Sequence, residues 1–256
     1  EMTIAEIRHD IDMTDEYYSN EQDYYDENGP VFRNLMVSYQ TKLYHSKFRP
    51  YLEEKIGSVA FKNIELAMKS VDEKILPLMQ EENQLQTRYN KLLATAKIEW
   101  NGEILNLSLM DPYLHHQDRK VRMDAWKKYS DFFASNKEEL DDIYDQLVKN
   151  RTKQARELGY DNYLTLGYYR MNRNCYGRSD VQQFREQVKR DFVPFAEKLH
   201  ERRRRRLGID QLHFEDEGVY FTNGNPAPVG DPQQILDAGR KMYQELSNET
   251  AEFMNF

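Results

Sequence analysis

Ser135-Asn136-Lys137-Glu138-Glu139-Leu140-Asp141-Asp142-Ile143-Tyr144-Asp145-Gln146-Leu147-Val148-Lys149-Asn150-Arg151-Thr152-Lys153-Gln154-Ala155-Arg156-Glu157-Leu158-Gly159 decides the fold class. Leu140, Ile143, Tyr144, Leu147, Val148, Ala155 and Leu158 recur at the 3.6-residue period of one helix face, which predicts a buried stripe. Ser135 and Glu138 make a Ser-x-x-Glu capping box at the start. Gly159 supplies a residue that can adopt the left-handed conformation at the end. Start, stripe and stop agree on a helix.

The same grammar extends outward. Ser179 and Gln182 predict a second capping box, leading into a stripe of Val181, Phe184, Val188, Phe192, Phe195 and Leu199 that stops at Gly208. Pro194 lies inside that stripe and predicts a kink, because it lacks a backbone donor. Asp231-Pro232 reads as an N-cap and first-turn proline, with Ile235, Leu236, Met242, Tyr243 and Leu246 as the face to be buried. Upstream, Phe32, Leu35, Met36, Tyr39 and Leu43 predict a helix after Gly29-Pro30. Phe61, Ile64, Met68 and Val71 predict another, and Leu78, Leu85, Tyr89, Leu92 and Ala96 a third, entered through Pro77.

One β element interrupts the helices. Asn101-Gly102 supplies the positive φ angles of a type I′ turn, so about 96–107 reads as a hairpin. Gln211 to Phe221 is a weaker extended segment. The expected class is therefore mainly α, a multi-helix bundle with one short hairpin. Residues 1–256 read as one helical body, with a possible internal linker at 223–231 in a Gly/Pro-rich loop. Ser247-Asn248-Glu249-Thr250 reads as another helix start, followed by Ala251, Phe253 and Phe256. This last stripe is short, and residue 1 is not methionine, so a piece of a longer protein is expected.

Composition narrows the function classes. Charged residues make up 31% of the chain, above the usual quarter. The net charge of −8 argues against a general nucleic-acid or anionic-membrane role. No apolar run approaches the roughly 20 residues of a membrane span. A single cysteine, Cys175, permits no internal disulfide and fits a reducing, cytoplasmic compartment. The arginine run Arg202–Arg206 invites a nucleic-acid reading. Its position in the last turns of a helix suits the backbone dipole instead.

Catalytic patterns do not emerge from the residues alone. His9, His45, His115, His116, His200 and His213 include no i, i+4 pair, the spacing that lets two imidazoles on one helix share a zinc. Cys175 is flanked by arginines but has no histidine nearby in sequence, so an incidental thiol is the plainer reading. Glycines are scattered singly and form no phosphate cradle. Tyr168-Tyr169-Arg170-Met171-Asn172-Arg173 leaves two readings open. Aromatics with arginines can hold peptide backbones and carboxylates, or can simply pack one helix on another.

Leu158-Gly159-Tyr160-Asp161-Asn162-Tyr163, Pro194-Phe195-Ala196, Gly224-Asn225-Pro226-Ala227-Pro228, Gly239-Arg240-Lys241-Met242-Tyr243 and Glu245-Leu246-Ser247 occur in this order. Together with Gln80-Glu81-Glu82-Asn83, Lys91-Leu92-Leu93-Ala94 and Asp23-Tyr24-Tyr25-Asp26, they resemble the N-terminal portion of the oligoendopeptidase F group of thimet-oligopeptidase-like zinc metallopeptidases. The resemblance implies one lobe of a helical, channel-containing fold that admits short peptides. It implies one zinc, held by a His-Glu-x-x-His helix and a further glutamate, in the complete enzyme. That motif does not occur in these 256 residues, so no catalytic or metal residue is assigned here and none is expected on this chain alone. The expected partners are a catalytic half, in the same or a separate chain, and short peptides, without nucleic acid or membrane. Tyr168, Arg170, Met171, Arg173 and Tyr176 are the expected channel lining. A non-catalytic helical scaffold is the rival from another class.

Overall fold

A computed structural model describes residues 1–255. The chain enters on α1 (Met2–Ile11) and the long α2 (Glu16–Tyr44), then α3 (Arg49–Ile56), α4 (Ser58–Met68) and α5 (Leu76–Ala94). A hairpin of β1 (Ile98–Trp100) and β2 (Glu103–Leu105) precedes α6 (Asp111–Leu114), α7 (Arg119–Ser135), α8 (Lys137–Glu157) and α9 (Tyr163–Arg170). The remainder is α10 (Arg178–Gln187), α11 (Val193–Leu207), α12 (Pro232–Leu246) and α13 (Asn248–Asn255). The mainly helical class with one hairpin stands.

The hairpin follows its turn chemistry, with φ of 51° at Asn101 and 87° at Gly102. Ile98 pairs with Leu105 and Trp100 with Glu103. Strand alternation puts Ile98 and Trp100 on one face, where they pack with Leu105, Met110, Leu114 and Ala125 in one core. A second core joins α2 and α5 through Val37, Val71, Ile75 and Met79.

Helix α8 forms as expected and ends as expected. Gly159 takes φ 85°, its N–H donates to the Arg156 carbonyl, and Tyr160 N–H donates to that of Ala155, both at 2.9 Å. This is the Schellman closure. Its start differs from expectation. Helix α7 runs through Ser135, whose hydroxyl donates back to the Asp131 carbonyl at 2.6 Å, so Ser135 satisfies the end of α7 and caps nothing in α8. The stripe is also only partly buried. Ile143 and Ala155 are buried, Tyr144 and Val148 are exposed, and Asn150 and Gln154 occupy the seam against α5.

Pro30 behaves differently from expectation, for a tertiary reason. Helix α2 starts fourteen residues before Pro30, not after it. Pro30 cannot donate to the Asp26 carbonyl, but Asn83 Nδ2 of α5 donates to it at 3.1 Å. Gln80 Nε2 does the same for the Glu27 carbonyl at 2.7 Å. At Pro194, where a kink is expected, the α-helical pattern breaks just before the proline. A π-helical turn at Val188–Phe192 absorbs the lost donor and joins α10 to α11. Gly208 at φ 66° then ends α11. The cap of α10 is also shifted from Ser179: Asp180 Oδ2 accepts from Gly177 N–H at 2.8 Å.

The segment Gln211–Phe221 is not extended. It forms a 3-10 turn at Phe214–Asp216, pinned because the buried Asp216 carboxylate accepts from Arg119 and Arg122 of α7. Gly218 completes the fit, since a Cβ there would lie 1.9 Å from His115 Cδ2. Gly218→Ala is expected to destabilise the protein by about 1–3 kcal/mol through overpacking, read as a lower thermal midpoint with helix content retained.

Asp231 caps α12 by accepting from Gln234 N–H at 2.9 Å, and Ser247 caps α13. Phe256, expected to extend the last stripe, lies outside the described residues. The apolar faces expected to be buried remain open at Leu35 and Met36 of α2, Phe184 of α10, Phe195 of α11, and Leu236 and Leu246 of α12. Among the described residues no element covers them.

Candidate functional site

The site begins with the end of α9. Asn162 caps that helix by accepting from Leu164 N–H at 2.9 Å. At its other end Asn172 adopts φ 52°, a left-handed conformation that asparagine tolerates. Arg173 N–H then closes onto the Tyr168 carbonyl at 3.2 Å. In such a closure the side chain after the left-handed residue meets the one five positions earlier, usually as an apolar contact. Here that contact is cationic: the Arg173 guanidinium lies 4.2 Å from the Tyr168 ring centroid. Tyr176 flanks it at 5.6 Å. Arginine stacks on aromatic faces well because its guanidinium is planar and weakly hydrated.

These three residues line a cleft of about 290 Å³ that also includes Asn162, Tyr169 and Arg178 and no carboxylate. Two tethers hold it to α4 and the residue after it. Asn174 Nδ2 donates to Asn63 Oδ1 at 2.6 Å, and Tyr160 hydroxyl donates to the Lys69 carbonyl at 2.8 Å. Burial pushes the Tyr160 phenol up, as does the neighbouring Tyr169.

Of the five residues expected at a channel wall, Tyr168, Arg173 and Tyr176 come together. Met171 is exposed and does not line the cleft. Arg170 points the other way, into the α5–α8 seam. It donates to Glu82 Oε2 at 3.1 Å and to the side-chain oxygen Oε1 of Gln154. Glu82 also accepts from Arg151 Nε at 2.6 Å and Gln154 Nε2 at 2.8 Å. Burial alone pushes the Glu82 carboxyl up, but these hydrogen bonds and the two arginine charges outweigh it, leaving the group below the usual carboxylate range. Sequence reasoning missed this network. Its one signal was Glu82 sitting between Leu78 and Leu85 on the same helical face, a charge inside an apolar stripe.

The arginine run serves the fold. Arg203 is buried and donates to the Glu217 carbonyl at 2.6 Å. Arg204 and Arg205 both close on Glu201, whose carboxyl is held down at about 2 by their hydrogen bonds. Arg206 reaches the Tyr220 carbonyl and stacks on Phe221. The run sits in the last turns of α11 with Arg202, Arg205 and Arg206 exposed, as a solvated helix end, and Arg203, Arg204 and Arg206 in addition clasp the 209–221 segment.

A larger cleft of about 830 Å³ lies between the hairpin and α7. Lys127 on its wall pairs with Asp131 of the same helix at 2.9 Å, and Glu99, Glu103 and Asp124 also line it. Among the described residues, no three His, Cys, Asp or Glu side chains are arranged to hold a metal ion, and no helix is long and apolar enough to cross a membrane.

Residues 1–71 match the model of the peptidase M3 N-terminal domain, and residues 112–223 match that of peptidase family M3. A crystal structure described as an oligoendopeptidase F from Bacillus anthracis is 42% identical, with a TM-score of 0.95 over 99% of this chain and 47% of that one. A second structure described as an oligoendopeptidase F is 41% identical, with a TM-score of 0.96 over 99% of this chain and 45% of its own. A structure of PZ peptidase A with an inhibitor is 43% identical, with a TM-score of 0.95 over 99% and 45%. The chain thus spans a little under half the length of these relatives. No curated protein matches the sequence.

Proposed function

The chain belongs to peptidase family M3, and from that membership we propose that it forms a channel wall of a zinc metalloendopeptidase that hydrolyses short oligopeptides. The carrying observation is the agreement with oligoendopeptidase F over 99% of this chain and under half of that protein. The residues present do not fit the zinc that the family implies. The six histidines lack the one-turn spacing of a zinc helix, and no cluster of ligands forms among the described residues. The metal and the groups that act with it then come from polypeptide outside these residues, and no catalytic step is assigned here.

The open apolar faces of α2, α11 and α12 support this arrangement. Exposed apolar patches of this kind mark surfaces that another element covers, and a catalytic half packed on them would close a channel. The cleft at Tyr168, Arg173 and Tyr176 is the part of that wall with peptide-holding chemistry: aromatic area, hydroxyls and a forked donor. A narrow channel excludes folded proteins by size. The reading places the enzyme in the cytoplasm, where the exposed Cys175 stays a thiol.

The test compares this chain with the longer protein encoded around it. The longer protein is expected to bind one zinc per chain and to cut quenched fluorescent peptides of about ten residues, with activity lost to a chelator. The 256-residue chain alone is expected to bind no stoichiometric zinc and to cut nothing. One tightly held zinc per copy of the short chain would overturn the assignment, and a stable short chain beside an inert longer protein would favour the scaffold reading.

A further inference from the structure

Arg173 is a cation prepared for an anion that the described residues do not supply. Arg88, Arg119, Arg122, Arg151 and Arg170 each close on an aspartate or glutamate of another element. The Arg173 guanidinium makes no ion pair or side-chain hydrogen bond among the described residues; its contacts are the faces of Tyr168 and Tyr176. Stacking fixes the plane of the guanidinium and leaves its edge donors free. A forked donor held in one orientation loses little freedom when it binds a carboxylate.

The surroundings favour an anion further. The 290 Å³ cleft has Arg178 on its wall and no Asp or Glu, in a protein with 44 acidic residues. It also includes Gly177, at the N-terminal end of α10, where backbone dipoles favour negative charge. The nearest acid along the chain, Asp180, is already engaged by the Gly177 N–H. On the other side of Arg173 and Tyr176 a second cleft, of about 430 Å³, is walled by Asp180, Val181 and Phe184, the Asp180 carboxylate being the one that accepts from Gly177 N–H. Phe184 is 63% exposed.

We propose that Arg173 receives a carboxylate of the bound peptide and that Val181 and Phe184 take the apolar side chain beside it. This rests on the channel-wall reading above and adds a substrate class: peptides that present an acid next to an apolar residue. The acid is either the C-terminal carboxylate or a Glu or Asp side chain, since both offer the same two oxygens to the fork.

Four peptides of one apolar-rich sequence separate the sources: free acid or amide at the C-terminus, and Glu or Gln at the adjoining position. With the longer zinc-bearing protein, the peptide lacking the recognised carboxylate is expected to lose about tenfold to a hundredfold in kcat/KM, mostly through KM, as for a hydrogen bond to a charged group. Arg173→Ala is expected to bring the acid-to-neutral ratio to about one, and Arg173→Lys to restore part of it, with thermal midpoints checked for both. The same ratios in peptide binding, measured by fluorescence anisotropy, read the discrimination without turnover. Failure to hydrolyse any peptide therefore sinks the functional reading alone. Equal kcat/KM or equal affinity for all four peptides in the unmutated protein, or a ratio unchanged by Arg173→Ala, overturns the proposal.

Discussion

Replacing Asp216 with alanine is expected to lower stability by about 3–5 kcal/mol, the cost of leaving a buried charge without its partner. Asp216 is fully buried, and Arg122 beside it is nearly so. The carboxylate accepts from Arg122 Nη2 at 2.7 Å, Arg119 Nη2 at 2.8 Å, and its own turn's His213 N–H at 3.1 Å. Alanine removes all three, and of the hydrogen bonds from α7 to the 213–219 turn it leaves that of Arg122 Nε to the Glu215 carbonyl at 3.2 Å. At about 2–4 °C per kcal/mol for a chain of this size, the thermal midpoint should fall by about 10 °C. Substituting Asp216 and Arg122 together by apolar residues of similar volume is expected to recover much of the loss. A single Asp216→Ala that melts within a degree of the unmutated chain would remove the anchoring role.

The same carboxylate gives a pH dependence with a definite sign. Burial pushes Asp216 up, but hydrogen bonds from Arg122, His213 and Arg119 outweigh that and hold it below the usual range. A group whose folded value is depressed contributes stability above its unfolded value, about 4 for aspartate. That contribution is lost as pH falls through the folded value. Stability should therefore decline below about pH 4, less steeply in Asp216→Asn, as measured by denaturant melts at several pH values. Asp26 acts in the opposite sense. Burial raises it despite hydrogen bonds from Thr87 and Gln22, so its protonation favours the fold and partly offsets the acid loss.

Glu82→Ala is the second large effect, also expected at about 3–5 kcal/mol. Glu82 ties three elements together: its own α5, Arg151 and Gln154 of α8, and Arg170 of α9. Arg170 Nε already lacks a partner in its buried position, so losing Glu82 leaves the guanidinium poorly satisfied where burial is costly. Helix α9 carries Tyr168, and the turn that ends it places Arg173, so its loosening should also weaken peptide binding in the longer protein. Glu82→Gln keeps the shape and some hydrogen bonds and should cost less. Arg170→Ala should reproduce the stability loss, whereas Arg173→Ala should not. Equal melting of Glu82→Ala and the unmutated chain would show that the network does not hold the three helices together.

Much of the candidate site was legible and part was misread, for one reason. Tyr168, Arg173 and Tyr176 stood out as aromatic and basic residues close together in sequence. The left-handed Asn172 then folds Arg173 back on Tyr168 within five residues. Arg170 stood in the same run but turns inward, because its partners Glu82 and Gln154 come from helices separated from it by 88 and 16 residues. Direction around a helix follows from spacing; which side holds the counter-charge does not.

Local chemistry alone determined the helical class, the Asn101-Gly102 hairpin, the stops at Gly159 and Gly208, and the Asp231-Pro232 start. Each depends on φ angles, caps or periodicity within a few residues. Tertiary structure decided what Pro30 and the buried charges do. Pro30 lies inside α2 because side chains of α5, more than fifty positions away, accept the task of satisfying its freed carbonyls. Asp216 makes a turn of a segment that reads as extended because two arginines of α7 reach it. A buried polar group must find a partner somewhere, and the chain's fold, not its local sequence, says where.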